Sequence, residues 1–123
     1  MIRMLRAFVT GVLLLLTAGA IAATGQDTAR NRRDFAVTAR DHRFIPSRIE
    51  VAQDDLVRLA ITADDQSYSF AIDAYRIVKR IPAGGTTTFE FRADQAGTFQ
   101  FYCALTADDA CRSMTGTLVV KAR

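Results

Sequence analysis

Apolar residues recur at every second position from Phe35 onward, not at every third or fourth. In the segment FEFR, for example, Phe89 and Phe91 alternate with Glu90 and Arg92. This period is typical of β-strands that bury one face and expose the other. The same alternation runs through FAVTA, RIEV, LVRLAIT, SYSFAID, GTFQFYC and TGTLVVKA.

Turn-forming residues separate these segments. They include Pro46, the pair Asp54–Asp55, the segment 82–85 with its proline and two glycines, and Gly97. Short strands at a spacing of roughly 8–12 residues are typical of a β-sandwich. We therefore expect one all-β domain, a Greek-key β-sandwich of about seven strands without a long helix.

The N-terminus predicts export. Arg3 and Arg6 precede an apolar run over 7–23, and the tripeptide AIA at 20–22 offers a small-residue cleavage site. This order is typical of a secretory signal peptide, which we assign to residues 1–22. An uncleaved membrane anchor is the alternative, although the apolar run is short for a bilayer span. We expect a periplasmic or secreted protein, attached to the membrane only if the signal stays uncleaved.

The remaining chain divides into a basic tether over 23–33 and a folded domain over 34–123. The net charge of the whole chain is +3, and two of the positive charges lie in the signal peptide. Basic and acidic residues of the domain are interleaved, which is typical of a solvated surface. We therefore expect no nucleic-acid binding, because a basic stripe is absent from the sequence.

One small basic cluster follows the predicted strand that contains Tyr68. Arg76, Lys79 and Arg80 lie within five positions of one another. They are either a docking patch for an acidic partner protein or an ordinary solvated strand and loop.

The candidate chemistry is concentrated in the segment FQFYCALTADDACRSMTG, residues 99–116. It holds both cysteines of the chain, Cys103 and Cys111, and also Met114. The alternation places Cys103 on the inward face with Phe101, at the end of a strand. In an oxidising compartment a disulfide between the two cysteines is the default expectation.

Catalysis is not expected. A nucleophilic cysteine needs a neighbouring base, and the single histidine, His42, lies on a different predicted strand. We interpret His42 as an ordinary strand-edge residue. The paired aspartates all fall in turns, where their local hydrogen bonding explains them.

Several motifs, in order, resemble the cupredoxins. They are FIPSRIEVAQDDLVRLAIT, DDQSYSFAID, RIPAGGTTTFEFRADQAGTFQFYC and the terminal MTGTLVV. The chain is most similar to exported cupredoxin-like domains related to the copper-binding domain of cytochrome oxidase subunit II. This resemblance implies a cupredoxin fold and a copper site between the last two strands and the strand that contains Tyr68.

The resemblance also implies which ligands have changed. The family pattern of the dinuclear site is C-x₃-C-x₃-H-x₂-M, with a further histidine upstream. By position, Cys103 matches the first cysteine, Ala107 the second, Cys111 the histidine, Met114 the methionine and Tyr68 the upstream histidine. The dinuclear site is therefore excluded. A blue-copper site needs two histidines, and the chain has one.

Two interpretations of the sulfur residues stay open. In the first, Cys103, Cys111 and Met114 form a soft site that selects Cu(I), with Tyr68 at its rim. Copper storage or delivery then fits better than fast electron transfer, because no imidazole supports Cu(II). In the second, Cys103 and Cys111 form a disulfide in a metal-free sandwich with a structural or interaction role, and Asp108 and Asp109 only solvate the loop.

Overall fold

The computed structural model describes residues 31–123, which form nine strands and two short 3₁₀ helices. The alternating segments become strands, and the Pro-, Gly- and Asp-rich segments become the turns between them. The strands are β1 Arg32–Arg40, β2 Arg43–Ile45, β3 Arg48–Ala52, β4 Leu56–Ala63, β5 Tyr68–Ile72, β6 Ile77–Ile81, β7 Thr86–Arg92, β8 Gly97–Tyr102 and β9 Thr115–Lys121. The 3₁₀ helices are Asp73–Tyr75 and Cys111–Ser113.

The strands form two sheets. One has four strands in the order β2-β1-β4-β7, and the other has five in the order β3-β9-β8-β5-β6. The pairs β1–β4 and β3–β9 are parallel, and the other pairs are antiparallel. The prediction of an all-β, two-sheet sandwich is confirmed.

The core lies between the inward faces of the two sheets. Three aromatic rings fill its centre, with centroids 4.9 Å apart for Phe70 and Phe101, and 5.3 Å apart for Phe44 and Phe101. The rings of Phe44 and Phe70 meet edge to face at 5.7 Å. Burial of such rings is the main stabilisation available to a domain of this size.

The first strand begins two residues earlier than the predicted domain. Arg32 and Arg33, which we assigned to the tether, pair in parallel with Leu56 and Val57 of β4. The predicted signal peptide lies outside the described residues. Within residues 31–123, no helix is long and apolar enough to cross a bilayer.

A buried carboxylate joins the ends of the domain. Asp55 is fully buried, and its side chain accepts a hydrogen bond from the backbone N–H of Ala52 at 2.8 Å. The guanidinium groups of Arg123 and Arg33 lie 2.6 Å and 3.5 Å from its two oxygens. The chain terminus and the start of β1 are therefore held at the same acidic group.

Candidate functional site

The two cysteines meet where β8 leaves the sandwich. β8 ends at Tyr102, and the connection to β9 contains the 3₁₀ helix Cys111–Ser113. Cys103 and Cys111 form a disulfide with their Cα atoms 5.2 Å apart, and both residues are fully buried. The alternation of β8 correctly predicted that Cys103 points inward.

Met114 lies at the same place. It is 2% exposed and packs in the same buried cluster as both cysteines. Its backbone N–H donates to the carbonyl of Cys111 at 2.9 Å, and its carbonyl accepts from the N–H of Cys103 at 3.3 Å. The structure therefore brings together the three sulfur residues that the sequence singled out.

Ser69 of β5 holds the sulfur of Cys103. Its backbone N–H lies 3.3 Å from Cys103 Sγ, and its hydroxyl lies 3.8 Å from the same atom. The hydroxyl oxygen also accepts from the N–H of Ala104 at 2.6 Å, so its own hydrogen is free to point toward the sulfur. Ser69 is 3% exposed. Ser69 was not proposed as a site residue, because nothing in the sequence shows which serine faces the thiol.

Asp108 braces the connection between β8 and β9. Its Oδ2 lies 3.0 Å from Nε2 of His42 and accepts from the amide of Gln66 at 2.9 Å. Its Oδ1 accepts from the N–H groups of Ala110 and Cys111. The hydrogen bond with His42 lowers the pKa of the Asp108 carboxyl below its usual value. The interpretation that this aspartate only solvates the loop is wrong, because it links the loop to two other segments.

Tyr68, which the family resemblance aligns with the upstream ligand histidine, is fully buried. Its hydroxyl donates to Asp65 at 2.7 Å and accepts from the backbone N–H of His42 at 3.2 Å. Burial, followed by the hydrogen bond to Asp65, raises the pKa of the phenol. The phenol oxygen is thus already hydrogen-bonded to two loop residues, Asp65 and His42.

His42 lies beside this site and not on a strand. It occupies the turn between β1 and β2 with φ of 55°, and its ring meets that of Tyr68 edge to face at 5.8 Å. His42 and Met114 also line one open cavity of about 470 Å³, together with residues 43–47 and with Ser113 and Thr115. The only imidazole of the chain therefore lies at the edge of the sulfur cluster.

The predicted docking residues are all exposed. Lys79 and Arg80 lie on β6, an edge strand, and Arg76 precedes it with a left-handed backbone. The ammonium of Lys79 lies 5.5 Å from the ring centroid of Phe89, at the open edge between the sheets. Arg80 pairs across the strands with Ser69, so this edge is one strand away from the sulfur site.

The donor atoms decide which metal the site fits. Among residues 31–123, no three His, Cys, Asp or Glu side chains cluster as metal ligands. A disulfide offers no thiolate, whereas the reduced pair with Met114 would offer two thiolates and a thioether, a soft set that suits Cu(I). While the disulfide is formed, Cys103 and Cys111 therefore offer no thiolate to a metal.

The chain matches one protein family along most of its length. Residues 9–120 match the profile described as "Cupredoxin-like domain". A search of curated proteins found no match.

Solved structures with a similar fold include copper proteins. The periplasmic domain of subunit II of cytochrome oxidase of Bradyrhizobium japonicum is 15% identical, with 72% of this chain and 83% of that chain covered and a TM-score of 0.63. Auracyanin A, a "blue" copper protein from Chloroflexus aurantiacus, is 14% identical over 73% and 99% of the two chains, with a TM-score of 0.63. The metal-binding domain of the Cu(I)-exporting P-type ATPase of Streptococcus pneumoniae, solved with Cu(I), is 13% identical over 71% and 83%, with a TM-score of 0.62. At these identities the likeness shows the fold.

Proposed function

The chain belongs to the cupredoxin-like domain family, and from that premise we propose that it is an exported copper-handling protein that binds Cu(I). The observation that carries the proposal is the meeting of Cys103, Cys111 and Met114 in one buried cluster at the end of β8. Their sulfur atoms are the soft donors that select Cu(I) over harder ions.

Binding requires the dithiol form of the protein. The two cysteines are oxidised to each other in the structure, and a disulfide sulfur does not serve as a thiolate ligand. The disulfide is therefore the metal-free form, and reduction is the step that makes the site available. The hydrogen-bond donors of Ser69 support a negatively charged sulfur on Cys103 in the reduced form.

Bound Cu(I) would be held for storage or transfer. With no second imidazole in the chain, the site would stabilise Cu(II) poorly. We propose a binding protein, not an enzyme, that works in the periplasm or outside the cell. Its partner would be a copper-handling or redox protein with an acidic surface, which would meet the exposed basic residues of β6.

Titration with Cu(I) under anaerobic conditions tests this function. We expect the reduced protein to take up one Cu(I) in competition with a chromogenic Cu(I) chelator, and the disulfide form to take up none. Cys111→Ser and Met114→Leu each remove one donor and should weaken binding about tenfold or more.

Ser113→Ala is the matched control, because it changes the neighbouring side chain without removing a sulfur. Equal chelator competition by the reduced and disulfide forms would contradict the proposal. So would a Cys111→Ser variant with unchanged affinity. A strong visible absorption on adding Cu(II) would indicate a blue-type centre instead.

A second function is favoured by the disulfide itself. If Cys103 and Cys111 stay oxidised throughout the life of the protein, the domain is a metal-free sandwich with a structural or interaction role. A thiol count on protein purified anaerobically and denatured without reductant separates the two functions. No free thiol, together with no Cu(I) uptake after reduction, would favour the second function.

A further inference from the structure

The two sulfurs of the disulfide lie in different surroundings. Cys103 Sγ is approached by two donors from Ser69, the backbone N–H at 3.3 Å and the hydroxyl at 3.8 Å. In the described part of the chain, no hydrogen bond reaches Cys111 Sγ. A sulfur that already faces donors is the better place for negative charge to develop, because hydrogen bonds to a charged group are stronger than those to a neutral one.

The two cysteines also differ in their backbone surroundings, because Cys103 lies next to the sheet and Cys111 lies in a connection. Cys103 directly follows β8 and lies against β5, beyond the single registered pair Ala71–Tyr102 of these strands. The backbone N–H of Ser69 donates to the sulfur of Cys103 there. This hydrogen bond links β5 to the residue that follows β8. Cys111 lies in the connection, on a three-residue 3₁₀ helix that the side chain of Asp108 braces.

We infer that Cys111 is a modification site at which an external thiolate forms a mixed disulfide, with Cys103 as the leaving sulfur held by Ser69. Both cysteines are buried, so the incoming thiolate reaches Cys111 only when the connection between β8 and β9 opens, which breaks the contacts of Asp108 with His42 and Gln66. Cys103 stays in place because the sheet holds it.

The external thiolate attacks Cys111 Sγ and forms a new sulfur–sulfur bond, while the Cys103–Cys111 bond breaks and its electron pair stays on Cys103 Sγ as a thiolate. A second external thiolate then attacks the external sulfur of the mixed disulfide and releases Cys111 as a thiolate. Two external thiols are oxidised to one disulfide, and the protein disulfide is reduced by two electrons.

This inference deepens the proposed function, because it names the step that converts the disulfide to the copper-binding form. Its test uses metal-free protein and does not depend on copper. If the exchange occurs as inferred and the reduced protein takes up no Cu(I), only the copper function fails. If the reduced protein binds Cu(I) but the external thiolate attacks Cys103 and releases Cys111, only this inference fails.

Peptide mapping after a short reaction with reduced glutathione is the experiment. The folded disulfide protein is treated with glutathione, free thiols are alkylated, and fragment masses assign each group to a cysteine. We expect glutathione on Cys111 and the alkyl group on Cys103, with about a tenfold or larger excess over the reverse arrangement.

Ser69→Ala tests the role of the hydroxyl, and its backbone N–H remains. We expect the preference for Cys111 over Cys103 to fall about threefold to tenfold, because one hydrogen bond to the leaving sulfur is lost. The preference is the readout, because the hydroxyl also accepts the N–H of Ala104, and losing that bond changes how readily the connection opens for attack at either sulfur. Ser67→Ala is the matched control. Its hydroxyl also accepts a backbone N–H, that of Ala83 at 3.1 Å, so the rate and the preference should stay as in the unaltered protein.

Glutathione found mainly on Cys103, or equally on both cysteines, would overturn the inference. A disulfide that reacts only above the denaturant concentration that unfolds the protein would overturn it as well. If Ser69→Ala fails to fold, the map of the unaltered protein still decides which sulfur is attacked.

Discussion

The imidazole Nε2 of His42 lies 3.0 Å from Oδ2 of Asp108, although the two residues are 66 positions apart. This contact joins the turn between β1 and β2 to the connection that carries Cys111. Gln66 reaches the same carboxylate from the connection between β4 and β5. The β1–β2 turn and the β4–β5 connection are therefore both hydrogen-bonded to the carboxylate of Asp108 in the β8–β9 connection.

Replacing Asp108 by asparagine should make stability less dependent on pH in the acid range. Because the pKa of Asp108 is lowered in the folded state, its contribution to stability is present above the unfolded value, near 3.8, and is lost as the pH falls through the folded value. Urea unfolding of both proteins should therefore show a deficit of Asp108→Asn at pH 6 that shrinks as the pH falls below the unfolded value.

Asp109→Asn is the control for this experiment. The carboxyl of Asp109 is 91% exposed and, within residues 31–123, pairs with Arg112 alone, so its removal should change stability little at either pH. A deficit of Asp108→Asn that stays constant between the two pH values would contradict the role of this carboxylate.

Asp55→Ala should destabilise the domain by about 2–4 kcal/mol. The change removes the carboxylate that pairs with Arg33 and Arg123 and leaves the part-buried N–H of Ala52 without its acceptor. Arg33 and Arg123 are about half exposed, so their guanidinium groups can turn to water, which limits the loss. Urea unfolding at pH 7 measures the difference.

Asp64→Ala is the matched change at an exposed ion pair. Asp64 lies 3.4 Å from Arg40, and both side chains are about half exposed, so we expect a loss below about 1 kcal/mol. Similar losses for Asp55→Ala and Asp64→Ala would mean that Asp55 is not the anchor of the chain ends.

The alternation of the sequence predicted the sandwich and the direction of Cys103, because side chains on a strand change face at every residue. The family motifs pointed to the end of β8 and to Met114, and the structure places Cys103, Cys111 and Met114 in one buried cluster. These are local features, in which each residue is placed by its own strand.

The contacts around the cluster could not be predicted in the same way. His42 was interpreted as a strand-edge residue, whereas it lies in a turn with positive φ next to Tyr68. Its contact with Asp108 depends on how two distant loops pack, which no local period describes. Ser69 holds Cys103 only because β5 lies beside β8 in the sheet.

Gly116→Ala should cost about 1–3 kcal/mol or more of stability. Gly116 is buried on β9 opposite Phe101. A Cβ there would collide with the ring of Phe101 and would lie 2.7 Å from the carbonyl oxygen of Ser47. The ring of Phe101 is held in the core and the carbonyl of Ser47 belongs to the backbone, so neither group can easily shift to make room for the added methyl group. Thermal or urea unfolding measures the loss.

Gly84→Ala separates crowding from backbone strain. Gly84 has φ of 73°, and no atom lies within 4 Å of the position that an added Cβ would take. Its substitution therefore costs only the left-handed conformation, about 1–2 kcal/mol. A Gly116→Ala variant less destabilised than Gly84→Ala would contradict the close contact between Gly116 of β9 and the ring of Phe101.

Reducing the disulfide should lower the stability of the metal-free protein by about 2.5 kcal/mol, because the closed loop restricts the unfolded chain. Cys103 and Cys111 are only eight positions apart, so the entropic gain is modest. Urea unfolding with and without a phosphine reductant measures it, and the Cys103→Ala, Cys111→Ala double variant should show no response to the reductant. Coincident midpoints for the oxidised and reduced protein would mean that the bond does not stabilise the fold. The disulfide would then affect the reactivity of the two sulfurs but not the stability of the fold.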